Sequence, residues 1–335
     1  MPKTTAATAV SDFTPTALAP AAQPTSWQLQ HHELRNVLRS VKQRLGNRVV
    51  LPLSLCLGPR IDKACGILMY HRISPHYQRA TAPTWNVNPQ RFREQITGLL
   101  DQGFEAWPLR KILAHHQRNE AIPRNVFAIT FDDGYENNYR FAFPILQKLQ
   151  VPATIFLATA YLDSPSAFPS DDWAAAGSLT VPTTSWRPLT TEQCREMQSS
   201  GLIELAAHTH THADFRNRPD ALQQDLEQCL SVLHEKFGLT DATFAFPYGT
   251  KSTGFAGPTL AAAARAAGMI CALTTESDLV TPESNPFDWG RFTAYEFDTA
   301  ATLAAKLNGW YSLLNDSWKT LKGQGAQRDK LVNQS

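Results

Sequence analysis

The stretch VFAITFDDG, residues 126–134, decides how the rest of the chain is read. VFAITF carries no charge, and a nearly unbroken apolar run of this length suits a strand buried on both faces. It ends in two acids and a glycine. Adjacent carboxylates at the end of a buried strand are costly unless they are paired or held on a metal. Neighbouring side chains on an extended backbone point in different directions. Asp132 and Asp133 are thus able to serve two purposes, one binding a metal and the other facing a substrate. Gly134 allows a tight turn into the next element. Taken alone, the segment is equally a strand end with an aspartate capping a helix over 135–149.

The same alternation extends both ways. GILMY (66–70) reads as a strand, and so do 152–158, 202–207, 242–246, 269–275 and the region 291–295. Amphipathic helices are expected over 88–104, with an Asn cap, and over 135–149, kinked or split by Pro144. Further helices are expected over 190–201, 218–237 and 299–314. Residues 160–187 form a loop-like insertion rich in Ser, Pro, Asp and Trp. Short apolar strands alternating with helices predict an α/β fold with a parallel sheet, and about seven strands in one core suggest a barrel.

In such folds the carboxyl ends of the strands build the active site. Directly after LIELAA comes His208-Thr209-His210-Thr211-His212, three of the ten histidines in five residues. Fully extended, His208 and His212 would lie about 13 Å apart at roughly 3.3 Å per residue. In a helical turn, i and i+4 share one face while i+2 points away. A metal site here therefore uses His208 and His212, and not His210. With one aspartate they make a three-ligand set with an open position, the pattern of a catalytic zinc. A carboxylate beside it is placed to take a proton. FPYG (246–249) ends another strand, and its turn would aim the Tyr248 N–H at an oxyanion; by itself it is an ordinary turn. MYHR (69–72) ends the first strand and brings His71 towards the same mouth as a general acid, although a lone His is more often structural.

Composition removes several classes. The 335 residues carry 31 basic and 30 acidic side chains, for a net charge of +1, so no field invites nucleic acid. Hydrophobic residues make up 43% and charged residues 18%, enough for a sizeable core. Five dispersed cysteines without a C-x-x-C pair argue against a disulfide framework or thiolate zinc site. Residues 1–26, rich in Ala, Thr and Pro, read as a disordered tail without a secretory signal. Residues 27–60 form a basic, amphipathic helical extension. It either caps the main domain or makes a peripheral contact with an anionic membrane. The main domain spans 61–320, and 321–335 is a polar tail. The chain is expected in the cytoplasm, free or membrane-associated, in an oligomeric state that the sequence leaves open.

Taken together, TFDDG (130–134), His208-Thr209-x-x-His212 and FPYG (246–249) resemble the polysaccharide deacetylases of carbohydrate esterase family 4, the NodB-homology family. The resemblance runs from about residue 66 to about 295. It implies a distorted (β/α) barrel and a metal-dependent hydrolase that removes acetyl from an N-acetylated amino sugar. Asp133, His208 and His212 would hold one divalent metal, zinc by preference. Asp132 would be the base, and the Tyr248 N–H would hold the oxyanion together with the metal. Two departures stand out. The family's arginine in the third motif falls at Ala245, so Arg291, or else Arg72, must steer Asp132. The late leucine–histidine motif is missing, and LMYHRI (68–73) precedes TFDDG instead. That order is similar to the poly-N-acetylglucosamine deacetylase branch, in which an early His supplies the acid. His71 takes that part by analogy, with a raised pKa expected from a neighbouring carboxylate; the rival reading is that His71 only packs and Tyr70 or metal-bound water does the proton work. Alternative readings are a metal-dependent amidase acting on a non-carbohydrate amide or cyclic imide, and a non-catalytic carbohydrate-binding barrel.

Overall fold

The computed structural model describes residues 63–311 apart from 79, 81, 82, 170, 172 and 174–180. The expected tail 1–26, the extension 27–60, the tail 321–335 and Cys56 lie outside the described residues.

Ten strands are described: β1 (Gly66–Tyr70), β2 (Arg72–Ile73), β3 (Asn86–Val87), β4 (Glu105–Ala106), β5 (Val126–Phe131), β6 (Ala153–Leu157), β7 (Ile203–Ala207), β8 (Ala242–Ala245), β9 (Met269–Leu273) and β10 (Phe292–Thr293). Seven of them lie side by side in the order β10-β1-β5-β6-β7-β8-β9, with β4 beside β5 and β2–β3 forming a separate ribbon. Every pairing between these strands is parallel. The sheet curls into a barrel. Residues 289–293 stand between its two ends: Trp289 bridges Leu273 of β9, while Phe292 and Thr293 pair with Leu68 and Met69 of β1.

Strand burial explains the apolar runs. Every residue of β1, β5 and β6 is buried. One set of side chains, including Ile67, Ala128, Phe156, Ala206, Ala245 and Leu273, fills the lumen. The other set packs outward on the helices. These are α1 (Pro89–Asp101), α2 (Leu109–Gln117), α3 (Phe143–Leu149), α4 (Thr191–Ser199), α5 (Pro219–Phe237), α6 (Pro258–Ala266) and α7 (Ala300–Leu307). Asn88 caps α1 by accepting from the Gln90 N–H at 2.9 Å. Thr190 and Gln193 form a capping box on α4. Pro144 does split its helix, since a π-helical turn at Asn138–Ala142 precedes α3.

Two helices escape the sequence reading, α2 and α6. α2 has a structural task. Its Leu109, Ile112 and Leu113 join the lumen cluster. The Arg110 N–H and guanidinium bond Glu204 near the start of β7 and the Asp241 carbonyl just before β8. α2 thereby plugs the amino-terminal end of the barrel and leaves the opposite end as the mouth. Cys65, Cys194, Cys229 and Cys271 are unpaired and buried. No described helix is long and apolar enough to cross a membrane.

Candidate active site

At the mouth, β5 hands over to the two acids. The Asp132 N–H continues the ladder, donating to the Tyr70 carbonyl at 3.0 Å. The backbone then turns left-handed, at φ 71° for Asp133 and 83° for Gly134. At Gly134 a Cβ would lie 2.7 Å from Leu157 Cδ2, so this position needs glycine for space as well as for conformation. The turn separates the carboxylates, Asp132 towards β10 and Asp133 towards the histidines beyond β7.

Asp133 Oδ1 stands 3.4 Å from His208 Nε2 and 3.3 Å from His212 Nε2. The two imidazoles do meet, but not through a helical turn, which corrects that expectation. Residues 208–212 are irregular, with Thr209 at φ 67° and His212 at φ 53°. The His212 N–H donates to Thr209 Oγ1 at 2.9 Å. From α5, Asp225 accepts from the His210 and Thr211 N–H groups and from Thr211 Oγ1. His210 turns away and shares a hydrogen bond with Thr159 Oγ1 at 2.9 Å.

One acidic ligand atom and two imidazole nitrogens thus converge, all within 4.8 Å of one another. The His208 Nδ1–H donates to the Ala245 carbonyl at 2.7 Å, which leaves the Nε2 lone pair facing the cluster. Burial pushes the Asp133 carboxyl up, but the facing His208 and His212 outweigh it and hold Asp133 well below the usual carboxylate range. An ionised carboxylate and two oriented imidazoles are the donor set of a divalent metal. The residues present fit such an ion.

Asp132 is paired differently. Arg291 grips it with both ends of its guanidinium, Nη1 to Oδ1 at 2.6 Å and Nη2 to Oδ2 at 2.8 Å, and both side chains are buried. Arg291 Nε is itself fixed on the Thr274 carbonyl at 3.1 Å. Gly290 makes this approach feasible: a Cβ there would lie 2.6 Å from the Glu276 carbonyl oxygen, which accepts the Arg291 N–H. Burial raises the Asp132 carboxyl, and Arg291, His208 and His71 together hold it below its ordinary value.

Arg72, the other arginine considered for Asp132, pairs with Asp171 at 2.5 Å and donates to Tyr135 Oη at 2.8 Å. Tyr70 faces the outer layer between Phe92 and Phe131 and donates to Gln95. His71 lies at the mouth, its Nε2 4.0 Å from Asp132 Oδ2. Its titration is not as expected. Burial lowers its pKa, and the Asp133 and Asp132 carboxylates only partly offset this. Tyr248 projects from the turn after β8, 47% exposed and at φ 63°, with its ring 5.1 Å from that of His212. Its N–H donates to no backbone carbonyl among the described residues. Sequence reasoning missed Asp225, whose link to the histidine loop is purely tertiary and leaves no local signal.

Residues 119–270 match the family model of polysaccharide deacetylase. The chain is 32% identical over 124 residues to the poly-beta-1,6-N-acetyl-D-glucosamine N-deacetylase of Escherichia coli strain K12, covering 37% of this chain and 18% of that protein. It is 26% identical over 212 residues to the Staphylococcus aureus (strain MSSA476) enzyme of the same name, covering 61% of this chain and 66% of that one. The chain therefore spans under a fifth of the Escherichia coli relative's length. Among solved structures, IcaB from Ammonifex degensii superposes with a TM-score of 0.60 at 23% identity, covering 74% of this chain and 98% of that one. The Streptococcus pyogenes deacetylase PplD, solved in complex with acetate, gives 0.60 at 21%, covering 74% and 99%. At these identities the structures speak for the fold: seven parallel strands curled into the (β/α) barrel of NodB-type deacetylases. Residues 119–270 of this chain thus match the polysaccharide deacetylase family model, inside a barrel of the same kind.

Proposed function

We propose that the barrel domain, residues 61–320, hydrolyses the N-acetyl group of an N-acetylated amino sugar within a glucosamine-type polymer. The observation that carries this is the division of labour between neighbours. Asp133 joins the His208–His212 pair, whereas Asp132 is reserved by Arg291 and left beside His71. The names of the Escherichia coli and Staphylococcus aureus relatives support the choice of polymer. A divalent ion at Asp133, His208 and His212, zinc by the chemistry of these donors, would supply an acidified water and polarise the acetyl carbonyl.

The protein's own groups do the rest. Asp132 accepts the proton of the attacking water, and the Arg291 fork keeps it ionised and aimed. The Tyr248 N–H steadies the oxygen that gains charge in the tetrahedral state. His71 gives a proton to the departing amine, which leaves acetate and a free amino sugar.

The test is acetate release from poly-β-1,6-N-acetylglucosamine oligomers and from lipid-linked N-acetylglucosamine, together with metal analysis of the purified protein. Acetate release with one bound divalent ion is expected. In His71→Gln the fall in rate on the alkaline side should disappear, because that limb reports loss of the donor's proton. A metal-loaded protein that releases no acetate from any N-acetylated sugar would overturn the reading in favour of another amidase. A protein that takes up no metal would be a binding barrel.

A further inference from the structure

The imidazoles at the mouth are held in two ways. His208 is fixed through Nδ1 on the Ala245 carbonyl, and His210 through Nδ1 and Thr159 Oγ1. Among the described residues His71 has no such tether. Its Nδ1 is buried with no hydrogen-bond partner among them, and its Nε2 stands 4.0 Å from Asp132, beyond hydrogen-bond length. What meets its ring is Trp85, with centroids 5.5 Å apart and planes inclined by 19°.

The local fold is built around that contact. β2 and β3 pair Arg72 with Asn86 and Ile73 with Val87, the residues that follow His71 and Trp85 respectively. The Arg72 N–H donates to the Trp85 carbonyl, and the Asn86 side chain clasps Ser74 through both its N–H and its C=O. From the far side, Asn138 Nδ2 donates to the His71 carbonyl at 2.9 Å. Trp85 sits at φ 60°, a left-handed conformation that a bulky residue keeps only where its surroundings over-determine it. Its ring also meets Tyr295 at 5.8 Å, and Tyr295 stacks on Phe297 at 5.0 Å and 11°. The 295–298 turn behind them is anchored on buried groups: the Tyr295 N–H on Asp298, Asp298 on Lys306 at 2.6 Å, and Gln95 on the Tyr295 and Asp298 carbonyls.

We propose that Trp85 is a positioning residue that sets the plane of the His71 imidazole towards Asp132 and the metal-ligand cluster, an inference that rests on His71 being the proton donor. A face-to-face contact has one advantage over a hydrogen bond here. It fixes the ring plane without engaging either nitrogen, so the ring remains free to take up and release a proton. The indole face also favours the imidazolium over the neutral ring, against the burial that disfavours it.

Three variants of the full chain, metal-loaded, test this: Trp85→Ala, Trp85→Leu, which fills the volume without a flat face, and Trp85→Phe, which restores one. For Trp85→Ala and Trp85→Leu, kcat should fall about 10- to 100-fold, the scale of a misplaced catalytic group, with KM and metal content unchanged. Trp85→Phe should recover most of the rate. Independently of activity, the His71 ring-proton NMR signal, identified by its loss in His71→Gln, should carry an aromatic ring-current shift that vanishes in Trp85→Leu and persists in Trp85→Phe. If KM rises while kcat holds, Trp85 is a face for the substrate and the positioning role is wrong. Equal losses in the Leu and Phe variants, or a His71 signal indifferent to Trp85, also overturn it. Should the wild-type protein release no acetate, the NMR arm still decides the contact, and the failure belongs to the proposed function instead.

Discussion

Two buried arginine–aspartate pairs lie near the barrel mouth, and their difference is instructive. Arg291 and Asp132 meet in a two-pronged pair at 2.6 and 2.8 Å. Arg72 and Asp171 meet at 2.5 Å, with the guanidinium 4.2 Å from the Tyr135 ring centroid and 5.6 Å from that of Trp173. All four side chains are buried. The pairs part company in what surrounds the carboxylate. Asp132 looks onto His71 and feels His208. Asp171 sits within the insertion after β6, accepting the Trp173 N–H at 2.9 Å, its own N–H on the Phe168 carbonyl. The first pair leaves its carboxylate facing the histidines of the mouth; the second fastens a loop. Burial and ion pairing alone therefore do not distinguish the group proposed to react from a rivet. The neighbours of the carboxylate do.

Asp-to-Asn exchange should separate the two most sharply. Asp132→Asn is expected to lower kcat about 10²–10⁴-fold while metal content stays near normal. Asp171→Asn should leave kcat of the folded protein intact. Comparable rate losses in both would erase the distinction.

Removing the arginines should make the pairs look alike in stability and unlike in activity. Arg291→Met and Arg72→Met each strand a buried carboxylate, at about 3–5 kcal/mol, readable in denaturant titrations. Below the unfolding transition, only Arg291→Met should have lost turnover. A turnover loss in Arg72→Met would bring the insertion into the reaction.

The histidine loop offers a finer test. Asp225→Asn replaces the carboxylate that gathers three donors from His210 and Thr211, and should weaken metal binding about 10- to 100-fold, as expected for a group that orients a ligand. Titration with a competing chelator measures it. Smallest of all, His210→Ala should leave metal affinity unchanged, because its ring turns to Thr159. Metal loss there would mean that the loop is read in the wrong register.

Much of the barrel was readable because its strands are buried on both faces. GILMY and VFAITF need no alternation to be recognised. The mouth was readable where motifs terminate such strands, as at Asp132, Asp133 and His208. α2 and α6 were not. α2 follows Pro108 without a side-chain cap, and α6, PTLAAAARA, has an alanine run in place of amphipathic contrast. The backbone that joins His208 to His212 was also hidden, since nothing about Thr209 or His212 announces a left-handed φ. Burial around His71 is a property of the assembled mouth, and so its lowered pKa could not be inferred from the charges nearby in sequence.

The guanidinium that neutralises Asp132 arrives 159 positions after it. The segment that delivers it, residues 289–293, is also the one that joins β9 to β1. On the ribosome, then, β5 to β9 are all made before Asp132 can be both buried and paired with Arg291. Sealing the wall and pairing the carboxylate both depend on that one short segment. A product truncated before Trp289 lacks both the closing segment and the partner of Asp132.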